Sequence, residues 1–375
     1  MPRIAVVFGT RPEAIKLAPV AQALHRTPGM QPVLINTGQH DQLMPTIMEW
    51  FGVHIDQRLD VLTGGQSLGG LGARLLQRLT ETFTAERPDL VVVQGDTMTA
   101  QMGALAAFYQ QIPVAHVEAG LRTGDRWSPF PEEASRRIIS QVASLHCAPT
   151  EWAAENLRQE GAEGSIVVTG NPVVDALQHI RRQLGPQPIP GDPKTRFRIV
   201  ATIHRRENHP YLADIFGALA DLASQPGIEV VIPLHANPVV QHAAAILRAS
   251  AVQIVAPMDY VPWIQCMATA DLLISDSGGI QEEAPVLGIP LLIARDTTER
   301  PEVVQSGHAL LVGHDRARIV EAALNTRNGQ RRFAKAGSPF GDGHAAERIA
   351  CLVAEWGTGA QTAAPEETAA RVGVS

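Results

Sequence analysis

Between Asp271 and Pro301 the chain carries its densest set of residues able to do chemistry. A short apolar run at 272–275 ends in Asp276-Ser277-Gly278-Gly279, and a helical pattern, Ile280-Gln281-Glu282-Glu283-Ala284, follows at once. A strand that turns through small residues into a helix start leaves backbone N–H groups unpaired, and these suit a phosphate. Glu282 and Glu283, read as lying in the first helical turn, can accept bonds from sugar hydroxyls while the amides hold phosphate. A second strand at 290–295 then delivers the polar run Asp296-Thr297-Thr298-Glu299-Arg300. The ligand this combination points to is a sugar attached to a nucleoside diphosphate.

Other polar groups recur after apolar runs. Gly9-Thr10-Arg11-Pro12-Glu13 follows the first run, with Pro12 suited to the first helical position and Lys16 one turn further on. Lysine near a helix N-terminus opposes the helix dipole, which an anionic ligand would explain. Gly95-Asp96-Thr97 follows another run, where Asp96 is either a helix N-cap or a chemical group. Glu118 ends an apolar strand, and a carboxylate there is costly unless paired or functional. Glu132 and Glu133 follow Pro129-Phe130-Pro131, and at least one of them reads as a plain helix start. His204, His235 and His40 each read equally well as ordinary loop histidines. No GxGxxG follows the first strand and no GxxxxGK[ST] occurs, so dinucleotide and P-loop sites lack support. No His/Cys/carboxylate spacing resembles a metal site.

These residues need a scaffold. Short β-branched runs at 4–8, 33–36, 90–94, 114–118, 145–148 and 166–169 alternate with helical patterns such as 12–24, 67–84 and 100–108. After the Pro/Gly-rich stretch 185–191 the alternation restarts at 199–203, 230–234, 254–256, 272–275, 291–294 and 310–312. This is the signature of parallel α/β units, arranged as two doubly wound halves. In such sheets ligands lie beyond the carboxyl ends of the strands, which is where the polar residues above fall. The division expected is 1–170, 171–356 and a disordered tail at 357–375, with the final helix able to pack back on the first half.

Composition narrows the class. The 375 residues are 45% apolar, as in a soluble globular protein, and the net charge of −7 argues against a nucleic-acid partner. Cys147, Cys266 and Cys351 are far apart, which fits a reducing compartment better than a disulfide framework. No apolar stretch approaches a membrane span or a signal segment. A cytoplasmic protein is expected.

In order along the chain, FGTRPEAIK (8–16), QGDT (94–97), HVEAGLRTGD (116–125), PFPEEASRR (129–137), TGNPVVDAL (169–177), HRREN (204–208), DSGGIQEEAP (276–285), RDTTERPE (295–302) and PFGDGHAAERI (339–349) resemble the non-hydrolysing UDP-N-acetylglucosamine 2-epimerases. The resemblance implies two Rossmann-like domains facing a central cleft, as in one large glycosyltransferase class. It implies a homodimer without a cofactor that interconverts UDP-N-acetylglucosamine and UDP-N-acetylmannosamine, supplying ManNAc-type precursors for cell-surface polysaccharide. It also implies roles. Asp96, Glu118, Glu132 and His204 would be the chemical residues. Arg11 and Lys16 would lie near sugar and diphosphate, and Ser277, Gly278 and Gly279 would donate to phosphate. Glu283 would hold the ribose, Arg300 the sugar or phosphate side, and Met258 and Trp263 the uracil.

Some members of that family bind a second UDP-N-acetylglucosamine as activator. Gln39, Gln42, Glu132, Arg205 and His235 are the candidates here, while Asp41 and Gly65 stand where relatives carry basic residues. The C2 proton of the sugar is not acidified by a carbonyl, so loss of UDP from C1 must accompany its removal. The family's anti elimination to 2-acetamidoglucal and re-addition follows that logic. Three alternatives share the fold: a hydrolysing epimerase, a retaining glycosyltransferase and a nucleotide-sugar sensor.

Overall fold

The computed structural model describes residues 1–39, 44–185, 196–334 and 337–357. The first half forms a seven-stranded parallel sheet from β1 (Arg3–Phe8), β2 (Gln31–Asn36), β3 (Gln57–Arg58), β4 (Leu90–Gln94), β5 (Val114–Val117), β6 (Leu145–Ala148) and β7 (Ser165–Val168), in the order β3-β2-β1-β4-β5-β6-β7. The second half forms a six-stranded parallel sheet from β8 (Phe197–Thr202), β9 (Ile228–Pro233), β10 (Gln253–Val255), β11 (Leu272–Ser275), β12 (Leu291–Ile293) and β13 (Ala309–Leu311), in the order β10-β9-β8-β11-β12-β13. Both are doubly wound α/β sheets. The central strands are mainly apolar because helices cover both of their faces; every residue of β4, β5, β6 and β11 is buried, His116 and His146 included.

The order of each sheet reverses at one place, between β1 and β4 in the first and between β8 and β11 in the second. Loops diverge there and leave a crevice at the carboxyl ends of the strands. The loops after β1 and β4 hold Arg11 and Asp96; those after β8 and β11 hold His204 and Ser277. The carboxyl ends of the two sheets face one another, since side chains that follow strands of one sheet meet those that follow strands of the other: Arg300 reaches Glu118 at 3.2 Å and Lys16 reaches Glu282 at 2.9 Å.

Helix Pro172–Leu184 serves both halves. It packs on Arg11–Arg26 of the first, on Gly278–Leu287 of the second, and on the last helix, Ala345–Gly357, which also lies against Arg11–Arg26. Asp175 caps that last helix by accepting from the backbone of Ala345 (3.3 Å) and Ala346 (2.9 Å). One apolar cluster accordingly contains Val6 and Leu17 from the first half, Leu177 from the shared helix, Ile280 and Leu291 from the second and Ile349 from the last helix.

Twelve of the strands lie where the apolar runs place them. The edge strand β3, Gln57–Arg58, has no such run; it is two polar residues long and is recognisable only through its pairing with Ile35 and Asn36 of β2. Most of the Pro/Gly-rich stretch after residue 185 and the tail after 357 fall outside the described residues.

Candidate active site

The loop after β1 is built around small groups in close contact. A Cβ added at Gly9 would sit 2.2 Å from the Thr37 hydroxyl and 2.3 Å from that of Thr99. Only glycine fits. Thr10 precedes the helix, Arg11 is its first residue and Pro12 its second, one position later than the sequence suggested. Glu13, fully buried, turns back and accepts from the backbone N–H of Gly9 (3.0 Å) and Thr10 (2.8 Å). Arg11 donates across the crevice to the carbonyl of Met258 at 3.3 Å.

Asp96 follows Gly95, whose φ of +70° favours glycine. The N-cap alternative for Asp96 fails, because Thr97 is the cap: its hydroxyl accepts from Ala100 N at 3.0 Å. Asp96 is instead gripped by Arg136, through Nε at 2.9 Å and Nη2 at 2.7 Å. Glu118 closes β5 in the left-handed region, φ +64°, a conformation costly for a side chain with a Cβ and concentrated at functional sites. Its carboxylate accepts from Lys16, from Gln94 (2.9 Å), from Asn171 (3.3 Å) and from Arg300 (3.2 Å). Glu132 and Glu133 both open helix Glu132–Val142 and then diverge. Glu133 is used structurally by Arg136, Arg137 and the N–H of Thr123. Glu132 keeps one buried carboxylate oxygen with no hydrogen-bond partner among the described residues.

In the second half, buried Asp276 organises the loop after β8. It accepts from the N–H of His204 (3.0 Å) and Arg205 (2.9 Å) and from the Asn208 amide (2.9 Å). The His204 ring lies with Nδ1 3.5 Å from Asp276 and stacks on His235, centroids 5.8 Å apart. Ser277 precedes helix Gly278–Leu287 without a capping side chain among the described residues, so the first amides of that helix point onward unpaired. A Cβ at Gly278 would meet Arg300 Nη1 at 2.8 Å and Arg205 Nη2 at 3.1 Å, whereas one at Gly279 would meet nothing nearer than 3.8 Å.

Glu282 and Glu283 lie in the second turn of that helix, not the first. Glu282 is committed to Lys16 (2.9 Å) and Arg300 (2.6 Å), which takes it from the sugar-hydroxyl role the sequence suggested. Glu283 accepts from the Tyr260 hydroxyl at 3.0 Å. Arg300 also binds Glu299, which pairs with Arg295 at 2.9 Å and lies within 4 Å of Arg136 and Arg205.

These environments set the charges. Burial and neighbouring Glu282 push Glu118 up, against Lys16 and Arg300. Burial also raises Asp96 and Glu299, but adjacent arginines outweigh it and hold both carboxyls below their usual range. Burial pushes Glu283 up to about 7 despite the Tyr260 bond, and pushes Glu13 up to about 7 despite its four donors. The His204 imidazole, 35% exposed, is held below its usual value by partial burial, with Asp276 opposing and Arg205, His235 and Arg11 reinforcing.

The structure thus gathers Arg11, Lys16, Asp96, Glu118, His204, Ser277, Gly278, Gly279, Glu283 and Arg300 at the two facing switch points. Lys16 has its explanation in Glu118 and Glu282, protein carboxylates that offset the helix dipole. Met258 presents its carbonyl to Arg11, and half-buried Trp263 packs on the core from helix Tyr260–Ala268. Of the second-site candidates, Arg205 and His235 flank His204, while Gln39 accepts from Thr99 beside Gly9 at 2.8 Å. Gln42, with His40 and Asp41, lies outside the described residues. Sequence reasoning passed over Glu13, Arg136, Asp276 and Glu299, each of which has at least one partner distant in the chain: Thr97, Asp96, His204 and Arg136 respectively. Glu13 also carried a local signal, its place three residues after Thr10 at a helix start. Among the described residues no group of three or more His, Cys, Asp or Glu is placed to hold a metal ion, and no helix is long and apolar enough to cross a membrane.

Comparison with known proteins agrees with this geometry. The family described as UDP-N-acetylglucosamine 2-epimerase matches residues 22–354. The chain is 41% identical to the UDP-N-acetylglucosamine 2-epimerase of Escherichia coli K12, over 92% of this chain and 97% of that one. It is 40% identical to the enzyme of the same name from Bacillus subtilis, over 92% and 93%. In structure it matches the UDP-GlcNAc 2-epimerase from Neisseria meningitidis bound to UDP-GlcNAc, with a TM-score of 0.90 and 38% identity over 94% of this chain and 100% of that one. With matches of this extent in sequence and fold, the chain belongs to the UDP-N-acetylglucosamine 2-epimerase family of isomerases.

Proposed function

We propose that this protein interconverts UDP-N-acetylglucosamine and UDP-N-acetylmannosamine without hydrolysis, by eliminating UDP across C1–C2 and adding it back. A base takes the C2 proton, the C–H electrons form the C1=C2 bond of 2-acetamidoglucal, and the C1–O bond breaks to release UDP. In the return step UDP oxygen attacks C1 and a proton reaches C2 from the other face. The observation that carries this reading is the facing of two unlike crevices: carboxylates Asp96, Glu118 and Glu132 on one side, an uncapped helix start with cations on the other.

The electrostatics refine the roles. Lys16 and Arg300 are already matched by Glu118, Glu282 and Glu299, so they orient carboxylates as much as they attract phosphate. The departing diphosphate is then left to Arg11, Arg205, the amides of Gly278 and Gly279, and His204. With its imidazole held below its usual value, His204 serves best as a neutral hydrogen-bond donor to the leaving oxygen. Ionised Asp96 and the partly unpartnered Glu132 would move protons, with Glu118, held by four donors, the third carboxylate of the set. Glu283 would take the ribose hydroxyls, with Met258 and Trp263 beside the uracil.

Incubation with UDP-N-acetylglucosamine in deuterated water, followed by NMR, tests substrate, reaction and proton mechanism together. Deuterium at C2 and accumulation of UDP-N-acetylmannosamine are expected. Free N-acetylmannosamine and UDP alone would instead establish the hydrolysing reaction. We place the enzyme in the cytoplasm as a homodimer. Unpaired Cys147, Cys266 and Cys351 support the first, and exposed Phe108, Tyr109, Trp127 and Phe130 on the first half support the second, which sedimentation at micromolar concentration checks.

A further inference from the structure

We propose that Glu13 is a positioning residue of this reaction: its carboxylate clamps the loop that carries Arg11 to the loop that carries Asp96. The clamp fixes how the phosphate-side cation and the acid–base carboxylate face a single sugar. The proposal rests on the roles given above to Arg11 and Asp96.

Half of Glu13's bonding is explained by its own helix. Its Oε2 accepts from Gly9 N (3.0 Å), Thr10 N (2.8 Å) and Thr10 Oγ1 (2.8 Å), as a carboxylate at the third helical position commonly does. The other half is not. Oε1 accepts from the hydroxyl of Thr97 at 2.6 Å, 84 residues away. Thr97 is the residue after Asp96 and the N-cap of helix Met98–Tyr109. One fully buried side chain therefore joins the starts of two helices across the β1/β4 switch point. Four donors converge on it, and a carboxylate, which carries about four lone-pair directions and no proton, matches four donors as no other side chain does. A charge buried to this degree is expensive. Burial pushes the group up to about 7, and helix capping alone is met elsewhere in this chain by uncharged hydroxyls and amide oxygens, exposed as at Ser67 or buried as at Asn171. On the far side Arg136 grips the same Asp96, so the Asp96 loop is held between two buried side chains, Glu13 through Thr97 and Arg136 directly.

The test is steady-state and C2-exchange kinetics of Glu13→Gln beside Asp96→Asn and the double variant. Glutamine keeps the volume and one acceptor but turns an NH2 toward Thr97. The expected result is a fall in kcat of about 10- to 100-fold, the scale of a small misplacement of reacting groups, with KM changed less than about threefold. Melting should shift by no more than a few degrees. The Glu13→Gln and Asp96→Asn losses should combine to much less than their product, as for residues acting through one group. Wild-type kcat in Glu13→Gln overturns the proposal, and so does a loss confined to KM or full multiplicativity with Asp96→Asn. If Glu13→Gln does not fold, Thr97→Asp breaks the clamp from its other end while keeping a good N-cap. It should lower kcat similarly, and wild-type turnover there overturns the proposal as well. Failure of the epimerase reading itself shows separately, as absence of C2 exchange in the wild-type enzyme.

Discussion

Glu283 holds its proton by burial and faces the one hydroxyl, that of Tyr260, able to stabilise its anion. Because burial wins, its carboxyl stands at about 7 in the folded protein against an ordinary 4.5. Between those values the folded state binds the proton that the unfolded state has released. The group therefore favours folding at low pH, and that advantage is lost as pH rises towards 7. Glu13 and Asp175 shift in the same sense, while burial pushes His116 down to about 3 and so acts in the opposite one. The difference between variant and wild type is therefore the quantity to read. Glu283→Gln removes its own titration and leaves the others in place. Its melting temperature relative to wild type should rise between pH 5 and pH 8, while its affinity for UDP at pH 8, where the wild-type carboxyl is ionised, falls about tenfold through loss of that acceptor for ribose hydroxyls. A difference in melting temperature that stays flat across this range would show that Glu283 titrates as an ordinary carboxylate.

At the scale of elements, the helix start at Ser277 makes a comparison within two residues. Gly278 and Gly279 read alike in the sequence, yet a Cβ at Gly278 would press on Arg300 and Arg205, and one at Gly279 would meet ordinary space. Gly278→Ala should weaken UDP binding by about tenfold or more through displacement of two guanidinium groups in a buried network, roughly 1–3 kcal/mol. Gly279→Ala should stay within about threefold. Calorimetry on both variants checks this, and equal effects would show that amide exposure rather than arginine placement makes the glycines necessary. The contrast marks what a sequence can carry. Strands such as 90–94, 145–148 and 272–275 were legible to the residue because burial on both faces leaves mostly apolar side chains, with one polar residue in each. Asp96, Glu118 and His204 were legible because they stand where those strands end. Glu299 and Arg136 were not, since nothing local distinguishes a surface ion pair from Glu299's place among four arginines.

For the whole molecule, the decisive contacts are those that cross between the halves: Lys16 to Glu282, Arg300 to Glu118, Arg136 to Glu299, and Thr150 to Glu302. They link the sheets at their carboxyl ends, while helix Pro172–Leu184 links them behind. Glu282 is the member whose removal separates two readings. In the sequence it stood as a sugar-hydroxyl acceptor; in the structure it neutralises Lys16 and Arg300. Glu282→Gln leaves two buried cations sharing Glu118 and Glu299, and breaking one partner of a buried pair costs about 3–5 kcal/mol, so the urea midpoint should fall clearly. The same change makes the crevice more positive by one charge. A diphosphate entering it should then be held at least as tightly as by the wild type, and saturating UDP should restore more stability to Glu282→Gln than it adds to the parent. Loss of stability with gain in UDP protection is the signature of a charge-balancing residue. If UDP affinity instead drops tenfold or more, Glu282 touches the nucleotide directly, and the ion pairs with Lys16 and Arg300 must open whenever substrate binds.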